Sequence, residues 1–327
     1  MRYQRERIRR SAAVLCLFAS LLVLFSSTHA QEKIRIGISA VSPGFLPTVV
    51  AEKKGFYEKY GLVSEHVISP CAVATTALLS NDLDYAVCAG PGVSGALKGV
   101  PLKLVMFTQD RLTYLLLVKP SVQSVADLRG KTIGISSFGS QLHLSSITVL
   151  RQHHLEPGKD VNLLPRGNDQ SRLAALQSGR IDATFAASPT DIFAARMGYK
   201  VLLWTRDYVK LPQNAVVVTE KKLKQAPDQV KGMIKGTIEA LQFLRKSKEE
   251  AVDVAAEWTK LDHDTTRAVL ENYRQAYSVD GAMTDEALEA AIQMELERSK
   301  LKKKVPVSLV ADSTLLLQAQ RELGLSK

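Results

Sequence analysis

Hydrophobic residues along the chain fall into short β-branched runs that alternate with segments of helical spacing. Short apolar runs bounded by glycine, proline or serine are typical of buried strands. Strands are predicted at 34–39, 63–69, 84–89, 102–108, 114–118, 132–136, 160–164, 182–186, 201–204 and 215–218, and the intervening helices at 46–54, 72–80, 141–153, 171–177 and 191–196. From residue 226 onward the spacing is helical. This alternation predicts an α/β protein with mainly parallel sheets covered by helices.

One strand-and-loop pattern occurs twice in the chain. Ile36-Gly37-Ile38-Ser39 and Ile133-Gly134-Ile135-Ser136 start 97 residues apart, and each runs into a loop of small and hydroxyl residues before a helix. A second pair starts at Ala77-Leu78-Leu79-Ser80 and Ala175-Leu176-Gln177-Ser178, with a spacing of 98 residues. Any two strand–helix–strand units share some likeness. Matched segments in the same order nevertheless favour two related α/β lobes.

The first thirty residues have the composition of an export signal. Five arginines precede an apolar run at 12–25, and Thr28-His29-Ala30 supplies the small residues of a cleavage site. The run is short for a membrane span, so we expect a signal peptide at 1–30 that is cleaved before Gln31. An uncleaved anchor is the alternative. The mature protein is then expected to be soluble and periplasmic.

Charge and cysteine content exclude some functions and leave others open. Loss of five arginines and one glutamate with residues 1–30 lowers the formal net charge from +10 to +6, which does not indicate a nucleic-acid partner. No Cys/His spacing resembles a zinc site, and we expect no cofactor. Cys71 and Cys88 remain in the exported chain, where a bridge is possible. Because another strand is expected between them, we favour two free thiols.

Several motifs resemble one family across nearly the whole mature chain. They are Ala51-Glu52-Lys53-Lys54-Gly55-Phe56-Tyr57, Ala77-Leu78 through Asp84, Asp127-Leu128-Arg129-Gly130-Lys131, and the tail from Asp312 to Leu325. With the export signal, they resemble the periplasmic solute-binding proteins of ABC importers in the nitrate, sulfonate and taurine group. That group includes proteins similar to the binders of thiamine-pyrimidine precursors.

The resemblance implies a two-lobed fold of the type II periplasmic-binding-protein class, with ligand held between closing lobes. The first lobe would contain 31–118 and a return segment, 219–327, whose helices pack on it; the second lobe would be 119–218. The partners implied are a small-molecule ligand and an inner-membrane ABC permease, and we expect a monomer. Open α/β sheets also bind ligands beyond the carboxyl ends of their strands on physical grounds.

Loops at those strand ends are rich in serine, glycine and small residues, and several of them lead into helices. Free N–H groups at helix starts suit a carboxylate or sulfonate, so we predict a small organic anion as ligand. The predicted ligand-binding residues are Ser39, Val41, Ser42, Pro43, Gly44, Phe45, Cys71, Ala72, Gly90, Pro91, Ser137, Phe138, Gly139, Ser140 and Ser188.

The serines and phenylalanines of this set, like the nearby Arg111, also have a purely structural interpretation. Each serine could serve only as a helix cap, and Ser140 is expected to cap a helix in any case. Phe45 and Phe138 could stack on a ligand or belong to the core. Arg111 could pair with an anion or lie in an exposed turn. Asp84 and Asp182 are predicted at the opposite strand ends, in structural roles.

Other functions are less well supported by the sequence. A hydrolase would need Gly-x-Ser-x-Gly on a strand–turn–helix, and neither Gly92-Val93-Ser94-Gly95 nor Gly134-Ile135-Ser136-Ser137 has that spacing. His143 has no evident carboxylate to orient it. The pyrimidine-precursor synthases resemble the fold, but this chain lacks a cysteine-rich motif like theirs. We therefore expect no enzyme. A receptor of a tripartite secondary transporter or a sensor remains an alternative.

Overall fold

The computed structural model describes residues 31–301 and 303–325. The predicted signal peptide at 1–30 lies outside the described residues. Residues from Lys33 onward belong to one compact unit. No helix in the described ranges is long and apolar enough to cross a membrane.

Ten strands and twelve helices make up the described part of the fold. The strands are β1 (Glu32–Ile38), β2 (Leu62–Ile68), β3 (Tyr85–Val87), β4 (Leu102–Gln109), β5 (Tyr114–Val118), β6 (Thr132–Ile135), β7 (Asn162–Pro165), β8 (Ala183–Ala187), β9 (Lys200–Trp204) and β10 (Asn214–Thr219). The helices are α1 (Leu46–Lys53), α2 (Cys71–Leu79), α3 (Ala89–Leu97), α4 (Gln141–Gln152), α5 (Asp169–Gln177), α6 (Thr190–Arg196), α7 (Glu220–Gln225), α8 (Pro227–Lys246), α9 (Lys248–Thr259), α10 (His263–Arg274), α11 (Asp285–Arg298) and α12 (Thr314–Glu322).

Both sheets have five strands in an equivalent order. The first is ordered β2-β1-β3-β10-β4 and the second β7-β6-β8-β5-β9. In each sheet the fourth strand, β10 or β5, is antiparallel to both of its neighbours. The pairs β1–β3, β6–β7 and β6–β8 are parallel. Two related α/β lobes with mixed sheets are therefore present, as the internal repeat predicts.

The two antiparallel strands correct the expected lobe boundaries. A boundary at residue 118 leaves β5 in the first lobe, and a boundary at 218 leaves β10 in the second. The structure instead pairs β5 with β8 and β9, and β10 with β3 and β4. The chain thus crosses between sheets just before Tyr114 and returns just before Asn214. An apolar run shows that a strand is buried, but not which sheet it joins.

Helices cover both faces of each sheet. On one face of the first sheet, the core joins α1 to α8, α9, α10 and α12. The opposite face packs against α2, α3 and α11. The second sheet has α4 on one face, and α5 and α6 on the other. The helical C-terminal third therefore returns to the first lobe, as expected.

Asp84 and Asp182 have equivalent structural roles in the two lobes. The Asp84 carboxylate accepts a hydrogen bond from the backbone N–H of Arg35 at 2.8 Å, and Asp182 accepts one from the N–H of Thr132 at 3.0 Å. Each carboxylate thus joins the backbone of one central strand, β1 or β6, to the residue immediately before the neighbouring strand, β3 or β8. Lys222 forms an ion pair with Asp84 at 2.5 Å, and Lys119 forms one with Asp182 at 3.5 Å. The prediction that these aspartates are structural is confirmed.

Candidate ligand-binding site

A cavity of about 770 Å³ lies between the lobes, where the carboxyl ends of the central strands meet. The first lobe contributes the loop after β1 and the first turns of α2 and α3. The second lobe contributes the start of β5 and the first turn of α4. Residues 211–214, on the returning crossover, and one side of α11 complete the wall. This is the position at which open α/β sheets bind ligands.

Ten of the predicted ligand-binding residues line this cavity. They are Ser39, Ser42, Gly44, Phe45, Cys71, Ala72, Gly90, Pro91, Gly139 and Ser140.

Five others lie outside the wall. Val41 and Phe138 are 47% and 65% exposed, and Ser137 is exposed beside Phe138. Pro43 is buried, and its carbonyl accepts a hydrogen bond from the Tyr277 hydroxyl at 2.6 Å. Ser188 is also buried, and its carbonyl accepts a hydrogen bond from the hydroxyl of Tyr273. Position in a strand-end loop therefore does not by itself place a side chain at the cavity.

Two serines in the duplicated loops cap helical turns. Ser42 accepts a hydrogen bond from the backbone N–H of Gly44 at 3.3 Å, and Ser140 accepts one from the N–H of His143 at 3.2 Å. The Ser140 hydroxyl also donates to the Ser137 carbonyl and bonds the Ser136 hydroxyl, both at 2.8 Å. Its capacity for hydrogen bonds is therefore used within the loop.

Helices α2 and α3 begin at the cavity without side-chain caps. Pro70 and Cys88 occupy the capping positions and give no side-chain hydrogen bond to the first turn. The N–H groups of a first helical turn have no partner inside the helix, and the helix dipole adds partial positive charge there. These two starts can therefore accept negative charge from a ligand. Gly90 and Pro91, expected in a loop, lie in the first turn of α3.

Cys71 and Cys88 form a disulfide with a Cα–Cα distance of 5.7 Å, which corrects the expectation of free thiols. Strand β1 does lie between β2 and β3. However, the chain turns over the end of β1 after β2, where the N–H of Ser69 donates to the carbonyl of Ile38 at 2.9 Å. Cys71 is thereby carried across the intervening strand to Cys88. The bridge lies in the cavity wall and joins the starts of α2 and α3.

A network of uncharged polar side chains was missed from the sequence. The Tyr114 hydroxyl donates to the side-chain oxygen of Gln141 at 3.2 Å, and the Gln141 amide donates to the carbonyl of Pro212 at 3.0 Å. On the first lobe, the Asn214 amide donates to the carbonyl of Gly44 at 3.1 Å. Burial raises the pKa of Tyr114, which keeps the phenol neutral. The one sequence signal is Asn214, a polar residue that opens an apolar run.

Three charged residues of the wall were also missed. Lys98 follows α3, and Glu295 and Arg298 lie near the end of α11, roughly two hundred residues later in the chain. Nothing local in the sequence distinguishes Glu295 and Arg298 from an ordinary exposed pair on a helix. Arg111, considered as an anion partner, does not line the cavity; its side chain is 63% exposed.

His143 helps to hold the second-lobe loop in place. Its Nδ1 accepts a hydrogen bond from the backbone N–H of Gly139 at 3.0 Å, and Phe138 packs edge-on against its ring. Burial lowers the pKa of His143 below the ordinary value of 6.5, which favours the neutral ring required by this hydrogen bond. His143 therefore has a structural role beside the cavity. Among the described residues, no group of three or more His, Cys, Asp or Glu could hold a metal ion.

The fold is shared with solved periplasmic proteins. The aliphatic sulphonate-binding protein SsuA of Escherichia coli has a TM-score of 0.73 at 20% identity, over 86% of this chain and 93% of that one. The nitrate-binding protein NrtA of Synechocystis PCC 6803 has a TM-score of 0.70 at 16% identity, over 90% of each chain. The desulfurization enzyme DSZB also shares the fold, with a TM-score of 0.69 at 16% identity, over 89% of this chain and 99% of that one.

Sequence comparison leads to a family. A protein of Brucella abortus (strain 2308), provisionally named as a binding protein, is 27% identical over 250 residues, which cover 70% of this chain and 72% of that protein. The model of the family described as NMT1/THI5 like matches residues 42–251, more than half of the chain. The protein therefore belongs to the NMT1/THI5 like family.

Proposed function

We propose that this protein is an extracytoplasmic solute-binding receptor, which captures a small organic anion between its lobes and delivers it to an ABC permease. The observation that carries the proposal is the cavity of about 770 Å³ walled by equivalent loops of both lobes. Its size falls within the roughly 300–1,000 Å³ range of small-molecule sites. Walls contributed by two lobes allow the ligand to stabilise a closed arrangement of the lobes.

The cavity wall favours a sulfonate or carboxylate over a cation. The uncapped starts of α2 and α3 face it, and two of its three charged residues, Lys98 and Arg298, are positive. Its aromatic side chains are Phe45 and Tyr114. A cage for a bulky cation generally surrounds it with several aromatic faces. Both the charge and the helix starts therefore support an anionic ligand.

Export and transport belong to the same proposal. The arginine-rich start and the apolar run at 12–25 support removal of residues 1–30 and a periplasmic location. Relatives named as binding proteins, together with the likeness to periplasmic SsuA and NrtA, support a periplasmic receptor, for which we propose an ABC permease as partner and a monomeric state. An intact mass beginning at Gln31 in the periplasmic fraction is expected; retention of residues 1–30 there would contradict export by a cleaved signal.

An enzyme is the alternative from another class, since DSZB shares the fold. A cysteine nucleophile would need a thiolate in the cavity. Both cysteines of its wall are joined in the disulfide, and Nδ1 of His143 already accepts a hydrogen bond from the N–H of Gly139. These observations favour binding without chemistry. Receptors of tripartite transporters or sensors would use the same cavity, and only the membrane partner distinguishes them.

Thermal unfolding with a ligand panel tests the proposed function. We expect at least one compound among alkyl sulfonates and aryl carboxylates to raise the melting temperature. A ligand at one hundred times its dissociation constant adds about 2.7 kcal/mol to the free energy of unfolding. Neutral amides of the same shape and hydroxymethylpyrimidine are the controls. Stabilisation by the neutral compounds alone would contradict the anion assignment.

A further inference from the structure

Helix α11 lies along the cleft and contacts both lobes. Leu288, Ile292 and Leu296 are buried in the core of the first lobe. Ala291 and Met294, on another side of the helix, pack against the core of the second lobe. The helix ends at Arg298, whose side chain is 39% exposed and lines the cavity. A residue at this position can therefore act at the boundary between the two lobes.

The guanidinium of Arg298 is held from one side. Its Nε donates to the carboxylate of Glu295 at 2.8 Å, its Nη2 donates to the other oxygen of the same carboxylate, and Nη2 also donates to Ser94 Oγ at 3.1 Å. Within the described residues, Nη1 makes no hydrogen bond. Such a two-point pairing fixes the plane of a guanidinium as well as its position. One nitrogen of a fixed cation thus remains available at the cavity wall.

Glu295 is placed to orient Arg298. Its side chain is only 9% exposed, and a buried carboxylate is costly unless a cation and hydrogen bonds compensate it. Arg298 supplies that compensation, and the Ser299 hydroxyl donates a long hydrogen bond of 3.4 Å to the same carboxylate. The pair is therefore coupled: removal of Arg298 alone would leave an unpaired negative charge beside the cavity.

The second lobe approaches Arg298 at Gly139. A Cβ built on Gly139 would lie 4.0 Å from Cγ of Arg298, an ordinary van der Waals distance. Gly139 immediately precedes Ser140, which caps α4. The side chain of Arg298 on α11 and the loop before α4 are therefore neighbours across the cleft. An anionic group with several acceptor oxygens can contact both at once.

We propose that Arg298, oriented by Glu295, is a specificity-determining residue of this cavity and supplies the counter-charge for a sulfonate or carboxylate group. This inference rests on the proposed function and adds the residue that selects the anion. Lys98, the other cation of the wall, is exposed, carries its charge on a flexible stem and has no ion pair among the described residues to orient it. Of these two cations, only Arg298 is held in a fixed orientation by hydrogen bonds among the described residues.

Paired anionic and neutral probes isolate this contribution. Isothermal titration would compare propane-1-sulfonate with propane-1-sulfonamide, and benzoate with benzamide. The variants are R298K and the double variant R298M/E295Q, which removes both charges and leaves no buried unpaired carboxylate. The matched control is R151M/E156Q, which removes an exposed Arg–Glu pair of 2.7 Å that does not line the cavity. Melting temperatures confirm that each variant is folded.

The wild type and R151M/E156Q are expected to prefer an anion over its amide. In R298M/E295Q we expect the affinity for that anion to fall about tenfold or more, with little change for the amide. R298K should keep part of the preference, because lysine keeps the positive charge but lacks the planar set of N–H donors of a guanidinium. If folded R298M/E295Q keeps the wild-type preference for the anion, the role of Arg298 is overturned and the proposed function is not. Failure of the wild type to bind any anion would overturn the proposed function and this inference together.

Discussion

Gly139 sets the backbone of the second-lobe loop just before the cap of α4. A glycine before a helix cap suggests a positive φ or a close approach, and the structure has φ of +77°, with Cγ of Arg298 at 4.0 Å from a built Cβ. The capping role of Ser140 is equally local and is present as expected. In contrast, Arg298 and Gln141 depend on contacts made by the finished fold, and local pattern could not identify them.

Replacing Gly139 with valine is expected to weaken anion binding. A β-branched residue is disfavoured at positive φ by roughly 1–2 kcal/mol, so the loop that positions the start of α4 should shift. Gly158→Val is a matched control, because Gly158 has φ of +85°, has nothing within 4 Å of its built Cβ and does not line the cavity. Both variants should lose similar stability in urea, but only Gly139→Val should lose affinity in isothermal titration. Equal affinities in the two folded variants would place the site elsewhere.

At the scale of elements, strand-and-helix periodicity predicted most of the fold but missed α3. That helix contains Gly90, Pro91 and Gly92 in its first half, and such residues lower helix propensity. Proline is tolerated in the first turn, and Gly92 is required by packing, since a built Cβ would lie 2.7 Å from Cγ2 of Val217 on β10. Tertiary contact therefore overrides local propensity at this element.

The disulfide between the starts of α2 and α3 gives a prediction at the same scale. Its cysteines are 17 residues apart, and a loop of this size predicts a loss of about 3 kcal/mol on removal of the bridge. We expect C71S/C88S to unfold at lower urea concentration and to bind the anion more weakly, because the two helix starts are no longer tied together. Wild-type protein treated with a reductant should behave like the variant. Unchanged stability and affinity in both samples would show that the bridge does not position the site.

For the whole molecule, the internal repeat predicted two lobes but not the exchange of strands between them. The link of residues 110–113 between β4 and β5 is short enough for a hairpin, yet the two strands lie in different sheets. The local sequence of an apolar strand does not determine which sheet the strand joins. The same holds for α11, whose return to the cleft brings Ala291, Met294, Glu295 and Arg298 to a wall otherwise built from residues before 215.

If one ligand contacts both lobes, its binding should slow hydrogen–deuterium exchange in both of them. Mass spectrometry would follow backbone exchange with and without the anion that most raises the melting temperature. We expect slower exchange at 39–46 and 88–95 in the first lobe together with 137–144 in the second, since a bound ligand suppresses local opening at every segment it contacts. Protection confined to one lobe, or centred on the separate cavity beside Lys103 and Leu315, would contradict the contact of one ligand with both lobes.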